Sequence, residues 1–403
     1  MSTLVQKYGG SSLANRKKIE KVADRVQKAW DEWERVVVIV SAMGDTTDEL
    51  INLAHEIADD PDPREMDMLL NTGEQISISL LTMALQKRDI PAVSLTGSQL
   101  GVATTDRHQK ARIKDIDQDR VQEELDRGRV VVAAGFQGVT EDNEYTTLGR
   151  GGSDTTAVAL AAKLEARCEI YTDVAGIHTC DPGLVERARC LEKISYEEMM
   201  EMASLGAEVI HPRAVELACK YEVPLYVGDA FSQDEGTDIG EETEYLEESV
   251  ITGMAVNLDD IQINLRGVKK RKDMLSKIFE TFGEAGINID MISQLMNGEN
   301  KMQLSFTAPA EDFQETEKIL KSREQSWNVK NWWINEDICK MSVIGPGMRS
   351  QPGVAASVFN LMQQYDIMVR MVTTSEIKIS WLIPTADHEK AAELVAREFD
   401  LAD

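Results

Sequence analysis

Short apolar runs alternate along the first half of the chain with longer stretches whose apolar residues recur every three or four positions. Leu4–Lys7, Val36–Val40, Ala92–Leu95, Val130–Ala134, Glu169–Thr172 and Leu225–Val227 are short and mostly β-branched, which predicts strands. Arg16–Trp33, Glu65–Arg88, Asp154–Leu164 and Ala207–Tyr221 carry helical spacing. Strands and helices in turn predict an α/β fold of three layers, α/β/α, around a mostly parallel central sheet. Ligands of such sheets bind beyond the carboxyl ends of the strands. Gly9-Gly10, Gly44, Gly97, Gly135, Gly151-Gly152 and Gly176 all come after strands there.

The pattern then breaks. No Lys or Arg stands between Tyr221 and Leu265, and acids crowd Asp234 to Glu248, so 233–249 reads as a solvated linker after a first domain at 1–232. The remainder of the chain repeats itself. Phe279, Ile287, Met291 and Ile292 correspond to Phe359, Ile367, Met371 and Val372, and Pro309 and Pro384 end corresponding strands. The repeat predicts two small ferredoxin-like βαββαβ units, over 250–335 and 336–403. Paired units of this kind bind small ligands between them, which points to regulation.

Composition narrows the function classes. The chain has 403 residues, 42% of them hydrophobic, enough for two or three folded domains. A formal charge of -27 repels nucleic acid and anionic membranes, so neither is expected as a partner. Five cysteines without a C-x-x-C pair suit a reducing cytoplasm. The chain enters its first strand at once, so no leader is expected, and no apolar run approaches membrane-spanning length.

Five constellations carry candidate chemistry. The densest is Leu148-Gly-Arg-Gly-Gly-Ser-Asp-Thr-Thr156, between a strand and an alanine-rich helix. Glycines at a helix start let N–H groups approach an anion, and Arg150 adds a planar cation. Ser153 and Asp154 put a hydroxyl and an acid in the same place. The second is Lys7-Tyr8-Gly9-Gly10-Ser11-Ser12, a point charge and then flexible donors, suited to phosphate. The third is Ser41-Ala-Met-Gly44-Asp45-Thr46-Thr47, whose threonines read either as helix caps or as donors to a substrate carboxylate. The fourth is Asn71-Thr72-Gly73-Glu74-Gln75. A glycine inside a helix costs roughly 1 kcal/mol, so something needs close approach there, and Glu74 suits a substrate ammonium. Tyr171-Thr172-Asp173, with His178 and Asp181 just beyond, reads as a frame for a nucleotide base and ribose. His55, His108 and His388 read as surface residues, and His211 before Pro212 reads as a helix-start contact. No P-loop, protein-kinase or zinc motif is present.

Together these strings resemble the aspartokinases of the amino-acid kinase superfamily. They are Val5-Gln-Lys-Tyr-Gly-Gly-Ser-Ser12, Val40-Ser-Ala-Met-Gly44, Glu65-Met-Asp-Met-Leu-Leu70, Thr72-Gly-Glu-Gln75, Ala134-Gly-Phe-Gln-Gly138, Thr147 to Thr156, His211-Pro-Arg-Ala-Val-Glu216 and Thr374-Ser-Glu-Ile-Lys-Ile-Ser380. The match runs nearly the length of the chain, with the C-terminal part similar to tandem ACT domains. The Bacillus-type, lysine-regulated branch is the most similar.

The resemblance implies transfer of phosphate from ATP, with Mg2+ carried on the nucleotide, to the β-carboxylate of L-aspartate. The products are 4-phospho-L-aspartate and ADP, and the step opens the route to lysine, threonine, methionine and diaminopimelate. It implies that Lys7, Tyr8, Gly9, Gly10 and Ser11 hold ATP phosphates, with Thr172, Asp173, His178 and Asp181 along the nucleotide. Ser41, Thr47, Glu74 and Arg150 would hold aspartate, Glu74 on its ammonium and Arg150 on its α-carboxylate. Ser153 and Asp154 would serve the reacting end, with Asp154 orienting Lys7. It further implies an amino-acid effector, lysine before threonine, at Asn288, Asp290 and Gln294 with Val354, Thr374 and Ser375. In the family one ACT unit is often nested in the other, so the strand region 250–260 is expected to join the second. Oligomerisation through ACT edges, or with a regulatory fragment started at Met254, is also expected. Many relatives carry other residues at His178, Gly183, Glu208 and Val227-Gly-Asp-Ala230, all on the nucleotide side. The first ACT copy has Lys272-Asp273 where the second has Pro352-Gly353. The competing readings are a kinase for a glutamate-like substrate and a non-catalytic amino-acid sensor.

Overall fold

A computed structural model describes residues 2–206, 209–232, 236–241, 250–296, 301–349 and 352–403. The chain forms two compact units. The first comprises Met1–Ile177, Cys190–Ser204 and Glu208–Glu244, and the second His178–Arg189, Leu205–Ala207 and Tyr245–Asp403.

The first unit is built on an eight-stranded sheet. Its order is Lys193–Ser195, Thr237–Gly240, Leu225–Asp229, Arg167–Thr172, Thr3–Tyr8, Arg35–Val40, Val130–Ala134 and Ala92–Leu95. Every pairing is parallel except that of Leu225–Asp229 with Thr237–Gly240. The central strands Arg35–Val40 and Val130–Ala134 are buried almost throughout, which is why they read as continuous apolar runs rather than alternations. Arg16–Glu32 packs on one face through Ile19, Val22, Ala23 and Val26. Its start is capped by Asn15, whose side chain accepts the Lys18 N–H at 3.1 Å. Gly152–Leu164 is buried nearly all round, so it shows little amphipathic signal. Each fully buried Leu, Ile or Val here contributes about 1.5–3 kcal/mol relative to an exposed one.

Two features depart from expectation. Thr237–Gly240 is a strand of this sheet, with Thr237 and Ile239 buried, rather than part of a linker; 233–235 and 242–249 lie outside the described residues. A second, four-stranded sheet of Ile113–Ile116, Val102–Thr104, Gln137–Val139 and Tyr145–Thr147 belongs to the same unit. Its strands are three or four residues long, too short to show alternation in the sequence.

The second unit holds two antiparallel sheets. One runs Ile292–Met296, Lys301–Pro309, Asp260–Lys269, Asn331–Asn335, and the other Gly253–Asn257, Cys339–Ile344, Lys378–Ile383, Met371–Thr374. Gly253–Asn257 thus completes the sheet of the later copy, and the earlier copy, spanning Asp260 to Asn335, is inserted within it. Met254 is buried within this strand. Each sheet carries two helices, Met274–Glu284 with Phe313–Arg323 and Val354–Gln364 with His388–Glu398. The cores centre on Phe282 and Phe306 in the first and on Trp381, Met341 and Val358 in the second. Met291, Ile338, Met371 and Leu382 form a small cluster joining the copies. Among the described residues no helix is long and apolar enough to cross a membrane.

Candidate active site

Thr3–Tyr8, Arg35–Val40 and Val130–Ala134 lie side by side in the first unit and end at one edge. Gly9, Ser41 and Phe136 come directly after them or within two residues. A cavity of about 320 Å3 opens there, lined by Lys7, Gly9, Gly10, Ser41, Thr47, Glu74, Arg150, Ser153 and Asp154 among others. Chain segments remote in sequence therefore converge on one point because parallel strands all present their carboxyl ends to the same side.

Lys7 reaches the cavity because the pleat alternates: Tyr8 turns into the core and Lys7 turns the other way. Lys7 Nζ lies 2.7 Å from Asp154 Oδ1, with both side chains about nine-tenths buried. Asp154 stands in the first turn of Gly152–Leu164, whose N-terminus favours negative charge. The same turn brings in Ser153, whose Oγ is 3.0 Å from Ser41 Oγ. Thr47, in the first turn of Thr46–Ile57, lines the wall, while the Thr46 hydroxyl donates to the Met43 carbonyl at 2.6 Å.

Glu74 is 2% exposed. Its Oε1 accepts the Ala42 N–H at 3.1 Å and its Oε2 accepts Gln137 Nε2 at 3.1 Å. Burial pushes its pKa up to about 7, against the pull of those two donors. Gly73 beside it explains the glycine within a helix. A Cβ there would stand 2.9 Å from the Ala42 Cβ, so only glycine lets Pro63–Gln86 come down onto the Ser41–Gly44 turn.

The Arg150 loop is shaped from outside. Gly151 has φ +68°, and a Cβ on it would stand 2.2 Å from the His211 ring. His211 caps the helix Pro212–Tyr221, its Nδ1 accepting the Arg213 N–H at 3.2 Å, and burial lowers its pKa. Arg213 donates to the Leu148 carbonyl at 2.7 Å and to the Ala111 carbonyl at 3.3 Å. His108 is not a free surface residue: its Nδ1 is 2.7 Å from Asp67 Oδ2. Asp67, fully buried, also accepts the Thr147 hydroxyl at 2.6 Å, so it braces the strand leading into the loop.

Several other expected residues sit elsewhere. The Tyr8 ring is fully buried and stacked on Tyr171 at 5.2 Å, so its side chain is withdrawn from any nucleotide. Ser11 is exposed, and its carbonyl accepts Lys18 Nζ at 2.8 Å. Thr172 and Asp173 end the strand beside Gly9, whose N–H donates to the Tyr171 carbonyl at 3.3 Å, but they do not line the cavity. His178 and Asp181 belong to the second unit, because Cys180 and Val185 pack into its core. Asp181 is engaged by its own turn, accepting the Gly183 N–H at 2.7 Å. Asp229 likewise accepts the Ser232 N–H at 2.6 Å, and Glu208 lies outside the described residues.

In the second unit Ile292–Met296 and Met371–Thr374, both sheet edges, are neighbours. This brings Gln294 and Thr374 to one region. Val354 is buried in the second copy's core. Asp290 Oδ2 accepts Lys340 Nζ at 2.8 Å across the two copies, and the buried Lys340 also contacts Asp260 Oδ2 at 2.6 Å.

Reasoning from sequence missed Gln137, Asp67 and Arg213. For Asp67 a signal existed. Asp67, Asn71 and Glu74 are polar residues at helical spacing on the buried face of an otherwise apolar helix, and such residues need partners.

The amino acid kinase family profile matches residues 2–229, and an ACT domain profile matches 263–323 and 341–399. Aspartokinase 2 of Bacillus subtilis is 46% identical over 403 residues, covering 100% of this chain and 98% of its own. The aspartokinase of Geobacillus stearothermophilus is 46% identical over 404 residues, with the same coverage. Crystal structures of E. coli aspartokinase III share the fold at 24% identity. The complex with aspartate and ADP has a TM-score of 0.85 over 99% of this chain and 100% of that one. The complex with lysine and aspartate has a TM-score of 0.75 over 98% of this chain and 99% of that one.

Proposed function

Since the chain belongs to the aspartokinases of the amino acid kinase family, we propose that its Lys7–Glu74–Arg150–Asp154 cavity is where ATP and L-aspartate meet. The protein is an ATP-dependent aspartate kinase. The observation that carries the site assignment is the 2.7 Å Lys7–Asp154 pair in a cavity that also holds Glu74 and Arg150.

In the reaction a β-carboxylate oxygen of aspartate attacks the γ-phosphorus. The bond from that phosphorus to the β,γ-bridging oxygen breaks, and ADP leaves with the electron pair. The nucleophile is already ionised at neutral pH, so no general base is required. The task is to align two anions and spread charge. Lys7 neutralises phosphate oxygens while Asp154 holds its ammonium in place. The first turn of Gly152–Leu164 and the Gly10 amide offer N–H donors. Arg150 suits the α-carboxylate as a planar fork, and Glu74 suits the ammonium. Ser41, Thr47 and Ser153 supply hydroxyls around the reacting carboxylate.

Mg2+ fits as an ion carried by the nucleotide. Among the described residues no group of three or more His, Cys, Asp or Glu gathers to hold one, and Mg2+ is commonly bound through substrate phosphates with few protein carboxylates. When bound it would add charge neutralisation at the phosphates. Asp154 and Glu74 are the carboxylates that line the cavity.

Lysine is the effector we favour, supported by the lysine held in E. coli aspartokinase III. Asp290, Gln294 and Thr374 are the residues to receive it. Ile292, Leu295 and Met296 on the exposed sheet edge support assembly of copies through the ACT sheets. The free cysteines suit a cytoplasmic setting.

The test is direct. Protein with ATP, Mg2+ and aspartate is expected to yield an acyl phosphate trapped by hydroxylamine, and lysine is expected to suppress it. Product with glutamate but none with aspartate would overturn the substrate. Lysine binding without any turnover would favour a sensor.

A further inference from the structure

Glu74 reaches the cavity with its carboxylate already held from behind. Ala42 N–H takes Oε1 and Gln137 Nε2 takes Oε2, each at 3.1 Å. Gln137 is itself 1% exposed and does not line the cavity. Its amide is set from three sides. Oε1 accepts the Gly97 N–H at 3.2 Å, and Nε2 donates to the Asn71 carbonyl at 2.7 Å as well as to Glu74. Both Nε2 hydrogens and the carbonyl oxygen are therefore used, and rotating the amide by half a turn would oppose donor to donor at Gly97 and acceptor to acceptor at Asn71. Gly97 lies so close that a Cβ on it would stand 2.6 Å from the Gln137 Cβ, so the backbone that donates to Oε1 packs directly against Gln137.

We propose that Gln137 is a positioning residue for amino-acid recognition: it fixes Glu74 so that the free lone pairs of a buried carboxylate face the substrate ammonium, while adding no charge of its own. The inference rests on the cavity being the aspartate site. The neutrality of Gln137 is what matters. A lysine or arginine in its place would pair with Glu74 internally and remove the demand for a cation from the substrate. An amide orients the carboxylate and lowers its proton affinity only in part, so burial still leaves Glu74 needing a positive partner. The charged groups that face Glu74 support this division. Lys7, from the Thr3–Tyr8 strand, is paired with Asp154 from Gly152–Leu164. Arg150 lines the same cavity from the loop before that helix. On Glu74's own helix, Asp67 is occupied by Thr147 and His108. Asp45, on the turn after Ser41, is exposed. Phe136, Gly138 and Gly97 bring no charge.

The test compares wild type, Gln137→Met, Gln137→Glu and Glu74→Gln, each verified as folded by circular dichroism. Aspartate KM and kcat are measured from pH 6 to 9, with succinate, the same diacid without an ammonium, as a competitive inhibitor. For Gln137→Met the aspartate KM is expected to rise about tenfold or more, the loss typical of a hydrogen bond to a charged group. The KM for ATP and the inhibition constant of succinate stay near wild type, and the pH midpoint of the aspartate KM moves upward. Gln137→Glu is expected to raise the KM too, with partial rescue at the acidic end of the range. An unchanged aspartate KM and pH midpoint in Gln137→Met overturns the proposal, as does an equal loss for aspartate and succinate. If Glu74→Gln also leaves the aspartate KM untouched, the site assignment fails instead.

Discussion

Lys7 Nζ and Asp154 Oδ1 are 2.7 Å apart, one at the end of the first strand and the other in the first turn of the helix Gly152–Leu164. Neither residue has value to the other until the sheet brings the strand end under the helix start. Lys7→Met and Asp154→Asn are each expected to lower kcat by about a hundredfold or more, the scale of losing a preorganised charge at a developing transition state. The double variant is expected to lose little more than the worse single one, because the two act as a unit. Steady-state kinetics of the three variants checks this, and additive losses would separate their roles.

Arg150 and Glu74 are expected to act on the amino acid rather than the nucleotide. Arg150→Ala and Glu74→Gln should each lower kcat/KM for aspartate by at least about tenfold, or about 1.4 kcal/mol. The KM for ATP should change little. A larger effect on ATP than on aspartate would exchange the assignments.

Glu74 also makes stability depend on pH. Burial raises its pKa to about 7 from an ordinary value of 4.5. Below pH 4.5 the group is protonated in both folded and unfolded chains and opposes nothing. As pH rises from 4.5 through 7 the unfolded chain ionises first, so this contribution to stability is lost, up to about 3 kcal/mol by about pH 8. Thermal melts across that window should show a slope in wild type that Glu74→Gln flattens. Saturating aspartate should offset the loss above the folded pKa by supplying the missing cation. Parallel curves for the two proteins would refute the linkage.

Gly151→Ala is expected to be strongly damaging. The alanine would hold a left-handed φ at roughly 1–2 kcal/mol, and its Cβ would meet the His211 ring at 2.2 Å. The loop carrying Arg150 must then shift. Aspartate turnover should fall by more than about tenfold, or about 1.4 kcal/mol in the barrier, with a lower melting temperature. Gly128→Ala, also at positive φ but in open space, is the control, expected to lower stability slightly and leave kinetics intact.

Lys340 holds two carboxylates, Asp260 at 2.6 Å and Asp290 at 2.8 Å, while only about 4% exposed. Burial alone would lower its pKa, but the two carboxylates together raise it. Lys340→Met leaves both acids without their cation, and removing one partner of a buried pair costs about 3–5 kcal/mol. Adding Asp260→Asn should recover part of that loss. Chemical denaturation monitored by tryptophan fluorescence checks both variants, since Trp381 is buried in the same unit.

Much of this architecture was legible in the chain. The six long strands of the central sheet and the helices between them were readable because each buries an apolar run or stripe long enough to show its period. The two ACT units were readable because the chain repeats. Lys7, Arg150 and Asp154 stood out because charge beside glycine at a strand end or helix start is chemically unusual. The short strands of the second sheet were hidden, since three or four residues of mixed polarity carry no clear period. Thr237–Gly240 looked like linker because its neighbours are acidic, yet Thr237 and Ile239 are buried in the sheet. His108 looked like a surface residue because its partner Asp67 lies on a different element.

The local order of elements, the glycine-bounded loops and the kind of chemistry they serve were therefore determined by the sequence alone, because periodicity and backbone permissiveness are properties of neighbouring residues. Which side chains share a cavity was decided only by the tertiary structure. Tyr8 and Lys7 are adjacent in the chain but face opposite ways across the pleat. Glu74, Gln137 and Ala42 are far apart in the chain but within hydrogen-bonding distance. His178 and Asp181 come soon after Asp173 but pack in the other unit. Burial and pairing arise from contacts between remote segments, and no window along the chain contains them.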